Sequence, residues 1–278
     1  MISWRLNWTL NELFSIDNYS KHKQTLTSSS VFWLALAVKF FPTLWKRPIL
    51  LRLKEGGAFY VREFMSLYIY KEIFVDKCYD YPVLTVEEPA IMDIGGNTGL
   101  FTLRMKQLYP DATIYSFEPF ASNYQQLSKT IEVSKLNKVT AFPFGIGGTT
   151  RTERLYIHKN NVGGHSIMRS ETNSDAYTEI ELVSISEMFQ RLNLTKCHLL
   201  KMDCEGAEYE IIKKLDHELA SKIEKIVFEP TPTAYEVNEI TEHLKNIGFY
   251  MVDRDGLCVA INRGLENLQS SRLTMMED

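Results

Sequence analysis

From Pro89 onward, short apolar runs bounded by Gly, Pro and Asp alternate with stretches whose apolar residues recur every three or four positions. Runs of the first kind fit strands buried on both faces, and stretches of the second kind fit helices that bury one stripe. The pattern predicts strands at Ala90 to Ile94, Ala112 to Phe117 and Val139 to Phe144, separated by helices at Leu100 to Leu108 and Asn123 to Ser134. That is one βαβαβ mononucleotide-binding half. Glu153 to His158 and Thr178 to Val183 alternate as antiparallel strands do, and they flank a loop with Asn161, Gly163, Gly164, His165 and Ser166. The core pattern resumes with a strand at Cys197 to Met202, a helix at Tyr209 to Leu215, a strand at Ile223 to Phe228 and a helix at Ala234 to Ile247. Phe249 to Val252 and Leu257 to Ile261 then make a hairpin turned by Asp255-Gly256. The predicted fold class is α/β and Rossmann-like: a mostly parallel seven-stranded sheet with a terminal antiparallel hairpin, preceded by an N-terminal helical segment.

Met1 to about Leu53 is helix-prone and rich in Trp and Phe, and is broken by the polar stretch Thr25 to Ser30 and by Pro42 and Pro48. Residues 1–55 are expected to form a helical cap, 56–88 a lead-in with a short strand at Ala58 to Arg62 and a helix, 89–265 the main domain, and 266–278 a frayed tail. An aromatic stripe of this kind is packing surface, against the core or against a second copy of the chain in a homodimer; the sharper alternative is a wall over a substrate pocket. The apolar run Val31 to Val38 ends at Lys39, well short of the roughly twenty residues a membrane span needs.

Charge and cysteine narrow the function. With 31 Lys and Arg against 35 Asp and Glu, the net charge of -4 gives no basic excess to neutralise a phosphate backbone, which argues against nucleic acid as partner. The four cysteines show no C-x-x-C and no histidine at zinc-ligand spacing, so reduced thiols and a cytoplasmic location are expected.

Three motifs carry chemistry. Asp93-Ile94-Gly95-Gly96-Asn97-Thr98-Gly99 ends the first core strand and opens a helix, and glycines there let backbone approach a ligand closely. The dinucleotide fingerprint G-x-G-x-x-G does not fit, because Asn97 stands where its second glycine is required. Glu118, in Phe117-Glu118-Pro119, ends the second strand, where a carboxylate accepts ribose hydroxyls. The fourth core strand delivers Asp203, Glu205 and Glu208 to the same edge, and Glu229 closes the fifth. Asp203 and Glu205 could hold an acceptor, act as base or bind a divalent cation; with no further ligand set in view, a metal is not favoured. Glu208 is expected to cap the next helix. His165 has an ordinary pKa suited to taking a hydroxyl proton, and is equally readable as a surface loop residue.

These segments resemble the FkbM family of S-adenosylmethionine-dependent methyltransferases. The likeness runs through Ile91 to Phe101, Phe117-Glu118-Pro119, the Gly163-Gly164-His165-Ser166 loop, and Leu200 to Glu208, which is similar to the family's Lys-x-Asp-x-Glu-Gly-x-Glu block. Phe64 to Phe74 is similar to the family's segment ahead of the core, whereas residues 1 to about 55 lie outside the likeness. His165-Ser166 stands where the family often has Ser-Ser, which weakens inference about that loop. The resemblance implies a class I methyltransferase fold, S-adenosylmethionine as cofactor, and O-methylation of a sugar, glycan or polyketide-type small molecule. On this reading Asp93, Gly95, Gly96, Asn97, Gly99 and Leu100 surround the cofactor's amino-acid end, Glu118, Pro119 and Asn123 its ribose, and Phe144 and Gly145 its adenine. Asp203, Glu205 and His165 remain the candidate bases, with Asp203 also near the cofactor.

Overall fold

The central strands are buried along their whole length, which is why they read as unbroken apolar runs. The computed structural model describes residues 2–40, 47–158, 165–172, 175–254 and 256–265. Three helices come first, α1 (Ile2–Phe14), α2 (Ile16–Thr25) and α3 (Ser29–Phe40), then a hairpin of β1 (Ile49–Arg52) and β2 (Ala58–Val61), then α4 (Phe64–Tyr70), which runs on into a π-helical turn at Lys71–Val75. The alternating part begins with β3 (Ala90–Ile94), α5 (Leu100–Leu108), β4 (Thr113–Phe117), α6 (Ala121–Ser134) and β5 (Val139–Phe142). A second small sheet follows, from β6 (Gly145–Gly147), β7 (Arg151–Tyr156) and, after the short α7 (Arg169–Thr172), β8 (Tyr177–Ser184). The chain then forms α8 (Ile185–Arg191), β9 (Leu199–Met202), α9 (Glu208–Lys213), α10 (His217–Ala220), β10 (Lys225–Phe228), α11 (Val237–Asn246) and the hairpin β11 (Phe249–Arg254) and β12 (Leu257–Asn262).

The main sheet has seven strands in the order β11-β12-β10-β9-β3-β4-β5, parallel except for β12, which runs antiparallel to both neighbours. β3 and β9 lie side by side at the point where the chain's progress across the sheet reverses, so their carboxyl ends open a crevice. Successive side chains of these strands serve opposite faces. Ile91, Leu199 and Val227 join the core that contains Phe32, Phe59, Phe64 and Tyr70 from the N-terminal elements. Met92, Leu200 and Ile226 join the other, with α8, α9 and α11. A fully buried Glu12–His22 pair, 2.9 Å apart, fastens α1 to α2, and His22 reaches the Tyr70 hydroxyl at 3.3 Å on α4.

Several boundaries differ from the sequence expectation, three of them for a reason visible in the local bonding. Ile49–Arg52 is a strand rather than part of a helical run, because Gly56 and Gly57 at φ +96° and +87° allow the chain to fold back and pair it with β2. The strand expected to reach Phe144 stops at Phe142: Pro143 has no N–H to donate, and the chain leaves to build β6, paired with β8. α6 starts at Ala121 rather than Asn123. α11 starts at Val237 rather than Ala234, since a turn closed by Ala234 N–H on the Thr231 carbonyl comes first. The expected Asn161, Gly163 and Gly164 loop contacts, the Asp255 turn residue and the 266–278 tail lie outside the described residues.

Candidate functional site

The loop after β3 is shaped by two neighbours. Gly95 and Gly96 N–H both donate to the Phe117 carbonyl, at 3.0 and 2.9 Å, drawing the loop onto the end of β4. Gly95 takes φ +79°, and a Cβ there would sit 1.9 Å from the Asp203 carbonyl oxygen, so only glycine lets the β3 and β9 loops come this close. Asn97 is held left-handed at φ +46° and Glu205, facing it from the β9 loop, at +54°; such strain in non-glycine residues collects at functional sites. Glu118 binds this loop directly: its two carboxylate oxygens accept the Asn97 and Phe120 N–H groups, each at 2.8 Å. Burial pushes its carboxyl up to about 7, against the pull of those two hydrogen bonds.

Under the loop lies a buried cation that the motif reading left without a role. Lys201 on β9 donates to the Gly95 carbonyl at 2.8 Å and stands 3.1 Å from Asp93 and 3.7 Å from Asp203. Asp93 is fully buried, accepts from Thr102 and Ser116 at 2.8 and 2.9 Å, and lines neither cavity described below. Both hydroxyl bonds fall on Oδ2, while Oδ1, 3.1 Å from Lys201, is buried without a hydrogen-bond partner, and the carboxylate's charge holds Lys201 beneath the loop. Glu208 accepts the Cys204 and Gly206 N–H groups at 2.6 and 2.7 Å, so it holds the turn ahead of α9. Gly99 caps the start of α5 at φ +83° and packs against Leu127, while Phe144 lies tilted against Phe117 and Phe142; neither is in the lining of the two cavities described below.

Two cavities meet at this loop and share Gly95, Asn97, Asp203 and Glu205 as a common wall. The smaller, about 60 Å³, is lined by Glu118, Pro119, Asn123, Gly145 and His165, with Ile146, Ile167, Ile180 and Leu182 as an apolar cheek. It therefore gathers the residues expected around a ribose and an aromatic base, and His165 with them. His165 accepts the His158 N–H at 3.1 Å, packs edge-on to Phe120 at 4.3 Å and is driven down to about 4 by burial, with His158 adding to it. It is neutral at physiological pH and lies on this side of the shared wall.

The larger chamber, about 300 Å³, opens on the other side and is roofed by Met65, Tyr68, Ile69 and Glu72 from α4 and its π-helical turn. Gly96, Thr98, Leu100 and Phe101 form its floor, and Glu229 closes its far edge. Tyr79 donates to Asp203 at 3.4 Å across it. Glu72 and Tyr68, one helical turn apart, face inward together. Burial raises Glu72 to about 7, and the nearby Glu229 and Asp203 charges reinforce this, while a hydrogen bond from Tyr68 opposes it. Glu229 is also raised to about 7, first by burial and then by Asp203, but its side chain is exposed at the rim, where water damps that effect. π-Helical turns of this kind are frequent at functional sites. Glu72, Tyr68 and Lys201 were the residues that motif reading missed. Spacing held the signal for the first two, since Glu72 follows Tyr68 by four positions on one helix face, and a lysine inside a buried strand held it for the third.

Asn97 Oδ1 and Thr98 Oγ1 are buried without a hydrogen-bond partner, both on the shared loop. Orphaned polar atoms beside a glycine cradle, with a carboxylate at the end of the next strand, fit a ligand that brings an amino-acid group on one side and a nucleoside on the other. Among the described residues no helix is long and apolar enough to cross a membrane.

Comparison with known proteins agrees with this architecture. The model of the Methyltransferase FkbM domain matches residues 93–251. Methyltransferase 1 of Beauveria bassiana is 29% identical over 180 residues, covering 58% of this chain and 72% of its own. Methyltransferase sdnD of Sordaria araneosa is 29% identical over 211 residues, 66% of this chain and 81% of its own. The 31-O-demethyl-FK506 methyltransferase FkbM of Streptomyces tacrolimicus is 24% identical over 233 residues, 73% and 89% of the two chains. The matched segment takes in the glycine loop, Glu118, the shared wall and the sheet edge at Glu229, and the chain belongs to the FkbM family of S-adenosylmethionine-dependent methyltransferases.

Proposed function

We propose that the chain transfers a methyl group to a hydroxyl of a sugar, glycan or polyketide-type small molecule held in the larger chamber, with Glu72 taking the hydroxyl proton. The observation that carries this reading is the enclosed Glu72 carboxyl, poised near 7 on the wall opposite the glycine loop. A general base is most effective when its pKa lies near the working pH. Asp203 and Glu229 make the chamber acidic, so a carboxylate acceptor would be repelled while a neutral hydroxyl is accepted. The Streptomyces tacrolimicus relative, named for an O-demethyl compound, supports oxygen as the acceptor atom.

S-adenosylmethionine supplies a methyl group on a positively charged sulfur, which makes it electrophilic. The smaller cavity would hold the nucleoside, with Glu118 toward the ribose and Pro119, Asn123, Gly145 and His165 around it. Gly95, Gly96, Asn97 and Leu100 would border the amino-acid end, Asn97 Oδ1 and Thr98 Oγ1 finding partners there. Asp203, tied to Tyr79 and close to Lys201, fixes the shared wall, and Glu205 extends it; both then position rather than deprotonate. Alignment in a pocket poor in water does most of the remaining work.

The test is mass spectrometry of products after the protein meets S-adenosylmethionine and a panel of sugar and polyketide alcohols, with matched amines and acids. O-methyl products support the reading. Methyl found only on nitrogen or carboxyl groups overturns the acceptor assignment, and retained cofactor affinity with no turnover on any panel member points to a binding module. With an accepted alcohol, kcat/KM is expected to rise with pH through about 7 as Glu72 loses its proton, then level off. A profile flat from pH 5.5 to 8.5, roughly the range over which such a group changes charge, would remove Glu72 as the base.

A further inference from the structure

Among the described residues, seven of the nine exposed large hydrophobic side chains fall between Leu6 and Leu34, all in the N-terminal helices. They are not scattered. Leu6, Leu10 and Leu13 recur at helical spacing on the outer stripe of α1, and Phe14 and Ile16, 80% and 87% exposed, flank the turn into α2. The stripe continues along α2 through Ile16, Tyr19 and Lys23, each three or four residues on. Soluble surfaces seldom leave a contiguous apolar patch of this kind without a use.

Charge is segregated in the same place. Residues 1–54 carry eight Lys and Arg against two Asp and Glu, although the whole chain has a net charge of -4. The two acidic residues are both occupied: Glu12 is buried on His22, and Asp17 pairs with Lys21 at 2.6 Å. Beyond Tyr19 the stripe meets a basic cluster. Lys23, Arg52 and Lys54 are exposed, Lys54 reaches the Lys23 carbonyl at 2.7 Å, and the Arg52 carbonyl accepts the Thr27 N–H at 3.0 Å, which draws β1 and the end of α2 together. Among the described residues, none of these three cations stands within ion-pair distance of a carboxylate.

We propose that this face docks on an anionic lipid surface, with Phe14 and Ile16 entering the acyl boundary and Lys23, Arg52 and Lys54 lying against headgroup phosphates. An apolar edge beside unpaired cations is the arrangement by which helices lie in a bilayer interface without crossing it. A second copy of the chain fits less well, because this stripe offers no free carboxylate to meet the cations of its mate. Docking would bring lipid within one helix of the chamber: α1 packs Trp8 on Tyr68 at 5.9 Å between ring centroids, and Tyr68 lines the chamber roof.

The test is co-sedimentation of the full chain with vesicles of phosphatidylcholine alone and of phosphatidylcholine mixed with phosphatidylglycerol. Binding is expected to the mixed vesicles, about tenfold or more above phosphatidylcholine alone, and to weaken as salt is raised. Lys23→Gln and Lys54→Gln should each lower partition about fivefold. Phe14→Glu combined with Ile16→Glu should lower it about tenfold or more, while affinity for S-adenosylhomocysteine stays unchanged and so reports an intact fold. Equal binding to both vesicle types, or binding that ignores both sets of substitutions, overturns the proposal. So does a Phe14/Ile16 variant that turns a dimer into a monomer in light scattering while the parent chain fails to bind vesicles, which would give the face to a second copy.

Discussion

Glu72→Gln is expected to lower kcat by about 10²- to 10⁴-fold, the usual worth of a positioned general base, and to leave the Kd for S-adenosylhomocysteine unchanged. The substitution keeps the size of the side chain and a partner for the Tyr68 hydroxyl, so the chamber roof retains its shape. What it removes is the group that exchanges a proton near pH 7. Single-turnover rates across pH separate this from a packing defect: the rising limb should vanish in Glu72→Gln and persist in Glu229→Gln. If Glu229→Gln alone loses the limb, the proton goes to the β10 edge instead, and the α4 segment is only a wall.

Glu118→Ala is expected to weaken binding of S-adenosylmethionine and S-adenosylhomocysteine about ten- to hundredfold, or about 1.5 to 3 kcal/mol, as measured by titration calorimetry. Two losses add. A carboxylate that would accept ligand hydroxyls is gone, and the Asn97 and Phe120 N–H groups lose the acceptor that sets the loop. The pH dependence fixes the sign. Because burial holds this carboxyl near 7, it is substantially protonated in the free protein at mildly acidic pH, and affinity should rise with pH as it ionises. For the fold alone the direction is opposite. A carboxyl raised above its unfolded value contributes stability that is full below the ordinary carboxylate range and is lost as pH rises through about 7. Ligand hydroxyls bonded to the ionised group would offset that loss, so thermal protection by S-adenosylhomocysteine should grow between pH 6 and 8, roughly one unit either side of that value. Binding that is indifferent both to Glu118→Ala and to pH would place the ribose elsewhere.

The parallel core was legible because its strands are buried on both faces, and continuous runs such as Leu199-Leu200-Lys201-Met202 bounded by turn residues have few other readings. Where a tertiary partner decided the outcome, periodicity was silent. Ile49–Arg52 carries no strand pattern of its own and becomes one only by pairing with Ala58–Val61. Pro143 lay in plain view as a strand terminator, but the apolar residues on either side, Phe142 and Phe144, masked it. The glycine loop, Glu118 and Asp203 were readable from order and spacing, since strand ends in this fold converge on one edge. For Glu72 spacing gave only its pairing with Tyr68, because Asp203 and Glu229 join them only when α4 folds over that edge. His165 shows the same dependence on tertiary placement: its loop packs it on Phe120 in the lining of the smaller cavity, which no local pattern reveals.

That wall also sets a timetable. Gly95, Asn97, Asp203 and Glu205 belong to both cavities, so a ligand that spans them finishes the boundary against which an acceptor must rest. An acceptor arriving first would meet that boundary without the cofactor against it. On the proposed reading the cofactor is expected to bind before the alcohol and to leave, spent, after the ether, an order that product-inhibition kinetics would check. Turnover would be governed by how fast the wall lets that last passenger go.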